Sequence, residues 1–421
     1  MRMGTATEQQ NKVPELRFSE FSDGWQSRKL NDVISLVVDN RGKTPPTITE
    51  GIPMIEVNAI GDKKIDYTKV GKFVDQDTFE NWFRKYLEPG DVLFSTVGAT
   101  ALCSIYEEQP KSVIAQNIVG LRFDEMDSSF AFYLLTEPRN NHKFKRIQMG
   151  AVQPSVKVSQ MIHIYFDVPE RAEQQKIADF LGSVDAWLDN LRSQKTALET
   201  YKQGMMQKLF TQQVRFKDDN GNDFPEWVTV KLGDLGEVKT SSVDKLSNAG
   251  ESEVNLLNYM DVYRRDHVRS SDEFQTVTAT DRERSTFNLK AGDILFTPSS
   301  ETPTDIGHSA VVMEDLNNVL YSYHLLRFRP TQGVFEGGFG GYAFKSYKFY
   351  KELWRRAQGA TRYTLSLESI KEAEVIYPAS IDEQKKITDF LTTIDQTITA
   401  KAEEITKVEQ WKKGLMQKMF V

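Results

Sequence analysis

One stretch of this chain is written twice at a fixed distance. Residues 173–181 read Glu-Gln-Gln-Lys-Ile-Ala-Asp-Phe-Leu, and residues 383–391 read Glu-Gln-Lys-Lys-Ile-Thr-Asp-Phe-Leu. Farther along, residues 204–210 read Gly-Met-Met-Gln-Lys-Leu-Phe and residues 414–420 read Gly-Leu-Met-Gln-Lys-Met-Phe. Both matches share one offset (383 − 173 = 210 and 414 − 204 = 210), so the span between them has one length in both copies. A segment of about 40 residues repeated without an insertion holds a rigid length constant.

Within that segment Ile177, Val184, Leu191, Leu198 and Met205 recur every seven residues, and Ile387, Ile394, Val408 and Leu415 keep the same phase in the second copy. This spacing is the seam of a coiled coil. Neither copy contains proline, and Ser380 with Glu383 forms a helix-start signature just after Pro378. Each helix would be about 57 Å long at about 1.5 Å per residue. The simplest cover for one apolar stripe is the other copy. Lys195 and Lys401 interrupt the seams at different turns, where they either fix register or mark fraying. Tyr201, Phe210, Trp411 and Phe420 flank the seams and are candidates for docking a partner protein, or else cap the helix pair.

The rest of the chain repeats as well. Trp25 and Trp227 are 202 apart, as are Lys29-Leu30 and Lys231-Leu232, and Gly90-Asp-Val-Leu-Phe94 matches Gly292-Asp-Ile-Leu-Phe296 at the same offset. Gly150 and Gly359 differ by 209. The chain is therefore a tandem duplication. It reads as a disordered leader over 1–12, a mixed unit over 13–170, a helical spacer over 171–212, a second mixed unit over 213–379 and a second helical spacer over 380–421. The Gly-Asp-Val/Ile-Leu-Phe segments read as a turn followed by a strand, and Ile118–Phe123 and Leu325–Phe328 as further strands. Phe130–Ile147 and Tyr342–Ala357 read as helices closed by Gly150 and Gly359. The fold class is α+β: two tandem α/β units joined by two long helices, with a pseudo-two-fold.

At 421 residues there is room for two or three cores, and 39% hydrophobic with 27% charged residues is a globular composition. No apolar run reaches membrane-span length and residues 1–12 hold no signal-peptide core, which predicts a cytoplasmic protein with no membrane contact. The lone Cys103 leaves no internal disulfide and no cysteine zinc site. A net charge of −7 argues mildly against nucleic acid, although binding needs only one basic face.

Several patterns that resemble catalytic motifs fail on inspection. Arg41-Gly-Lys-Thr44 lacks the earlier glycine of a phosphate loop, because Val37 stands there, and two prolines follow it; a flexible basic loop fits better. Gly337-Gly-Phe-Gly-Gly341 has no dinucleotide-binding setting and reads as a mobile loop. Histidines 142, 163, 267, 308 and 324 show no paired metal-ligand spacing. No bound metal, no bound cofactor and no catalysis by this chain are expected.

The informative chemistry is basic and aromatic. Arg139, His142, Lys143, Lys145 and Arg146 surround Phe144, and Lys345, Lys348, Lys351, Arg355 and Arg356 interleave with Tyr347, Phe349, Tyr350 and Trp354 at the matching place. Such stretches are often only solvated faces, but two at matching positions suit phosphates at two places on a duplex. Arg264 and Arg265 add to the basic set, as do Arg41, Lys43 and Thr44. Nearby polar loops could read base edges: Ser95, Thr96, Gln116, Asn117, Gln153, Asn258, Thr297, Ser299, Ser300, Arg362 and Tyr363.

Taken together, the Trp25/Trp227 openings, the paired Gly-Asp-Val/Ile-Leu-Phe strands and the repeated helix starts and ends resemble the specificity subunit of type I restriction–modification systems over essentially residues 13–421. The resemblance implies two target-recognition domains held apart by two antiparallel helices, each domain reading one half of a bipartite DNA site. It implies helices that dock methyltransferase subunits, two in number, with restriction/translocase subunits joining in turn. S-adenosylmethionine would sit on the methyltransferase and ATP with Mg on the translocase. No DNA-contacting residue is carried over, because these vary across the family. Helices of about 57 Å would set the half-sites about one to one and a half DNA turns apart, one turn being ~34–36 Å. A stand-alone sequence-specific DNA-binding regulator and a coiled-coil assembly scaffold remain the alternatives.

Overall fold

A computed structural model describes residues 12–40, 42, 44–150 and 152–421. The expected leader over 1–11 and the candidates Arg41 and Lys43 lie outside the described residues. Lys12 is described: its carbonyl accepts a 3.0 Å bond from Trp25 N. The repeated segments are helical throughout, Arg171–Phe210 and Ile381–Met419. By compactness the chain divides into one unit of residues 1–192 with 403–421 and a second of residues 193–402, so each unit takes part of both long helices.

In the first unit, a sheet of four antiparallel strands runs in the order Ile34–Val38, Ile118–Phe123, Val92–Ser95, Cys103–Ile105. A smaller sheet places Ile52–Ile55 between Phe73–Val74 and, in parallel, Val113–Ile114. The second unit has the same plan enlarged. Gly236–Thr240, Leu326–Pro330, Ile294–Phe296, Ser309–Val312 and His267–Val268 form one sheet, while Gln275–Ala279, Ser252–Leu257, Leu316–Tyr321 and Asn288–Leu289 form the other. Ser252–Leu257 again runs parallel to its neighbour Leu316–Tyr321. Each unit closes on a two-stranded base, Gln26–Lys29 with Tyr165–Val168 and Trp227–Lys231 with Glu374–Pro378, from which a long helix departs.

These pairings explain the repeated letters. Leu30 and Leu232 of the Lys-Leu pairs are buried core residues. Gly90 and Gly292 adopt left-handed φ values of 93° and 85°, which glycine tolerates. Asp91 and Asp293 then accept from the backbone at the start of the same turn, Glu88 N and Lys290 N, each at 2.8 Å. The repeated Glu-Gln at the helix starts is built into each unit. Glu173 takes Arg17 and Glu383 takes Arg215, while Gln174 and Gln384 donate to Pro169 O and Pro378 O, both at 2.9 Å. Ser380 Oγ accepts from Glu383 N at 3.4 Å, but the carboxylate turns to Arg215, so only half of the expected capping box forms.

Aromatic contacts repeat with the same logic. Phe18 meets Phe180 at 5.9 Å and Phe216 meets Phe390 at 5.7 Å; Trp25 meets Phe420 and Trp227 meets Phe210, both at 6.0 Å. Within the first unit, Val184, Leu188 and Leu191 of one helix pack with Val408, Ile405 and Leu415 of the other, and Arg192 pairs with Glu409 at 2.6 Å. In the second unit, Leu209 and Phe210 share a cluster with Ile387, Leu391 and Ile394. Low numbers on one helix meet high numbers on the other, so the helices run antiparallel in both units. Of the seam, Ile177, Val184, Leu191, Ile387, Ile394 and Val408 are buried, and Leu198, Met205 and Leu415 are half-buried.

Three local expectations are corrected. Phe130–Ile147 is two helices, Ser128–Thr136 and Pro138–Arg146, because Pro138 has no N–H and Glu137 caps a fresh start by accepting from Asn140 N. Tyr342–Ala357 likewise divides at Ser346, into Phe339–Ala343 and Tyr347–Arg356. The glycine-rich 337–341 segment is no mobile loop: Phe339–Ala343 is a buried helix, and a Cβ on Gly338 or Gly341 would stand 2.8 Å from Thr388 Cγ2 or Val311 Cγ1. Those glycines let the helix approach its neighbours. Among the described residues, no helix is long and apolar enough to cross a membrane.

Candidate nucleic-acid interface

Each unit builds one hairpin in the same way. Met149 and Ser155 exchange backbone hydrogen bonds of 2.9 and 2.8 Å, and Val156 N donates to Thr96 O at 2.8 Å. In the second unit Gln358 and Thr364 exchange bonds of 3.0 and 2.8 Å, and Leu365 N donates to Pro298 O at 2.8 Å. Gly150 and Gly359 are therefore not helix caps but the first turn of these hairpins, both left-handed, with φ of 87° and 139°. A Cβ on Gly150 would stand 2.7 Å from Gln153 O, and one on Gly359 would stand 2.0 Å from Arg362 O. Only glycine lets the tip fold back on itself. Gln153 and Arg362 project from the tips, both exposed. Arg362 Nη2 donates to Ser299 Oγ at 3.1 Å.

Beside each hairpin lies the turn that follows the buried parallel strand. Ala115 N donates to Ile55 O at 2.9 Å, and Ser322 N donates to Leu257 O at 3.0 Å. The next residues are Gln116-Asn117 in one unit and Tyr323-His324 in the other. Gln116 Nε2 donates to Thr44 Oγ1 at 3.2 Å. Burial, with the charges of Lys245 and Arg362, holds His324 below its ordinary pKa. Lys245, His324 and Arg362 thus share one face of the second unit, joined by Tyr259, whose hydroxyl donates to Ser299 O at 2.6 Å. Asn258 donates to Gln275 Oε1 at 3.1 Å alongside. The first unit's face is rich in amides and the second's in cations and aromatics.

Exposed cations flank both hairpins. Lys145 and Arg146 end the Pro138–Arg146 helix that leads into the first, and Lys348 and Arg355 lie exposed on the Tyr347–Arg356 helix that leads into the second. Arg264 is also exposed, while Ser300 and Tyr363 pair as partners in the short strands beside the second tip. Cations of this kind meet phosphates, and amide or guanidinium forks meet base edges.

Other candidates are committed elsewhere. Ser95, Thr96 and Thr297 are fully buried. Ser95 Oγ donates to Ala99 O at 2.6 Å and Thr96 Oγ1 donates to Asn117 O at 3.1 Å, so both hydroxyls are spent on backbone carbonyls where the Val92–Ser95 strand ends. Arg139 donates to the carbonyls of Gln417 and Phe420, closing the end of the second long helix. Lys143 donates to Tyr165 O at 3.0 Å with its ammonium over the Phe166 ring, and burial lowers its pKa. Arg265 pairs with Asp261 at 3.3 Å and Arg356 with Glu352 at 2.6 Å. Of the expected docking residues, Tyr201 and Trp411 are exposed (51% and 47%), but Phe210 and Phe420 are buried (4% and 1%), because each fills the socket beside a unit's opening tryptophan.

Tyr259, Lys245, Gln275, Tyr323 and His324 were not singled out from the sequence. The usable signal was the apolar pair of a parallel strand, Val113-Ile114 or Leu320-Tyr321, followed at once by a polar turn.

Comparison with known proteins also finds the chain doubled. The family model described as "Type I restriction modification DNA specificity domain" matches residues 22–200 and again 225–410. The putative type I restriction enzyme MjaX specificity subunit of Methanocaldococcus jannaschii is 26% identical over 425 aligned residues, covering 94% of this chain and 93% of that protein. The MjaVIII specificity subunit of the same organism is 26% identical over 320 residues, 73% of each. In fold, the chain is similar to the crystal structure of the type I restriction–modification S subunit from M. genitalium (TM-score 0.53, 15% identity, 97% and 99% of the two chains). It is also similar to a structure titled for complex assembly and conformational transition of the type I R-M system (TM-score 0.56, 15% identity, 94% and 97%). Two matches of one family model, one on each sequence repeat and together spanning most of its length, place this chain in the type I restriction–modification DNA specificity family.

Proposed function

We propose that this chain selects the DNA sequence on which a type I restriction–modification complex acts, each unit reading one half of a bipartite target. The observation that carries this reading is the duplicated face: one hairpin, one turn and one flanking cationic helix, built alike in both units, with different side chains at the tips. Two copies of one reader with unlike tips suit two unlike half-sites. The reading takes residues 13–170 and 213–379 as recognition domains and 171–212 and 380–421 as spacers. Thr44, Gln116, Asn117, Lys145, Arg146 and Gln153 are the DNA-facing set in the first, with Asn258, Arg264, Ser299, Ser300, Lys348, Arg355, Arg362 and Tyr363 in the second.

The chain carries no catalysis of its own in this reading. Methyltransferase subunits, two of them, dock on the long helices and bring S-adenosylmethionine; restriction/translocase subunits bring ATP and Mg. The complex works in the cytoplasm. Co-expression with the methyltransferase subunit, followed by sequencing of methylated DNA, should yield a bipartite motif. Exchanging residues 13–168 for the same unit of a relative should alter one half of it, and a change in both halves would refute the two-reader arrangement.

A further inference from the structure

We infer that Arg362 reads a guanine in the half-site of the second unit and that Gln153, at the matching hairpin position, reads an adenine in the half-site of the first; this rests on the DNA-reading function proposed above. The positions correspond by chain offset, 362 − 153 = 209 and 359 − 150 = 209, and by the backbone bonds that close both hairpins. The frame is kept and the projecting residue is not.

In both hairpins the place of a glycine Cβ is taken by the tip residue's own carbonyl, so the backbone under Gln153 and Arg362 is held fixed. What varies is the side chain offered from a constant position, as a contact that sets specificity requires. A guanidinium presents two parallel donors, matching O6 and N7 of guanine. A glutamine amide presents one donor and one acceptor, matching N7 and N6 of adenine.

Ser299 anchors the Arg362 fork through one bond, and a guanidinium has five donors. Among the described residues, no carboxylate pairs with Arg362. The nearby cation Lys245 and the exposed Arg355 on the preceding helix can serve phosphate instead.

The test is selection of bound duplexes from a random library, using the complex of the full chain with its methyltransferase partner. The wild type should enrich a motif with an adenine in one half and a guanine in the other. Arg362→Ala and Arg362→Lys should each lose the guanine at one position of a single half, discrimination falling on the order of 10- to 100-fold, with the other half intact. Gln153→Ala should lose the adenine in the opposite half. The lysine variant keeps the charge and removes the fork. If it retains the guanine, or if Arg362→Ala weakens all sequences alike, Arg362 is a phosphate contact and the inference is overturned. A wild-type motif unchanged by all three variants also overturns it while leaving the proposed function standing, whereas a wild type that enriches no motif removes the function itself.

Discussion

Glu173 takes both arms of the Arg17 guanidinium, Nε at 2.8 Å and Nη2 at 2.7 Å, with the carboxylate almost fully out of water. Glu383 and Arg215 repeat the arrangement at 3.1 and 2.9 Å. A buried pair that loses one partner strands the other charge. Glu173→Ala should therefore destabilise the chain by about 3–5 kcal/mol in urea denaturation. Glu383→Ala should be the costlier of the two, because Glu383 also accepts from Trp227 Nε1 at 3.1 Å. A loss under about 1 kcal/mol would mean that the pair adds nothing beyond packing.

Tyrosine hydroxyls tie each unit to its own stretch of long helix. Tyr133 donates to Asp185 at 2.6 Å and Tyr342 to Asp395 at 2.8 Å, and each aspartate also pairs with a lysine of the other long helix, Lys412 or Lys202. Tyr→Phe at either site removes one charge-assisted bond and leaves the lysine. The expected cost is about 1–2 kcal/mol by thermal or urea unfolding, similar at both sites.

Phe420 and Trp411 should separate folding from docking. Phe420→Ala empties a buried socket beside Trp25 and Phe130 and should cost about 3–5 kcal/mol. Trp411 is half-exposed beside Trp187 and Phe180, so Trp411→Ala should shift stability by about 1 kcal/mol or less while weakening capture of the methyltransferase subunit. Unchanged affinity in a pull-down titration would remove Trp411 from the docking surface.

Acidification should loosen the second unit through His267. Burial lowers its pKa; Asp266 and Asp395 oppose this, while Lys345 and Arg269 add to it, and the Tyr342 ring lies 6.4 Å away. The folded imidazole binds its proton less readily than the unfolded one, so stability falls as pH drops through about 6.5, the unfolded value, toward the lower folded one. His267→Gln should flatten the melting temperature between about pH 7 and 5; an unaltered slope would assign that range to other groups.

Arg146 and Arg355 are expected to touch phosphate rather than bases. Alanine at either should weaken DNA binding about equally across sequences and reduce the slope of log K against log salt by about 1. A changed motif would instead make that arginine a base reader.

The long helices and the duplication were legible because their letters are constrained twice over: Glu173 and Glu383, Phe180 and Phe390, and Phe210 and Phe420 fill equivalent sockets. What those residues touch was not legible, since Arg17 lies 156 residues from Glu173. Phe210 and Phe420 consequently read as groups that either dock a partner or cap the helix pair, and the buried sockets they fill were not foreseen. Matching letters need not mean matching roles, as the two Leu-Arg-Phe strands show. Arg122 pairs with Asp91 and Arg329 with Asp293, so the equivalent arginine lies two residues beyond the matching Arg327, which turns inward to Glu237.

Within the proposed site, Gln153 and Arg362 were legible only as polar loop residues; that Gly150 and Gly359 open hairpins rather than close helices was not, because a left-handed glycine suits either role. Ser95 and Thr96 were misassigned because a polar residue at the buried end of a strand has the same letters as one in a loop. Tyr323 and His324 were missed because nothing in their side chains resembles Gln116 and Asn117; only the backbone turn is common to them.

The paired arginine–glutamate and aromatic sockets at the two helix starts have a genetic consequence. Because Glu173 and Glu383 open segments of equal length and similar spelling, a recombination event inside the first segment can join the front of one gene to the back of another wherever the incoming helix end keeps the Phe420 that fills the socket beside Trp25 and Phe130. New pairings of half-sites can therefore arise by shuffling, because the repeated Met-Gln-Lys-Leu/Met-Phe ending supplies the same core residues whichever gene it comes from.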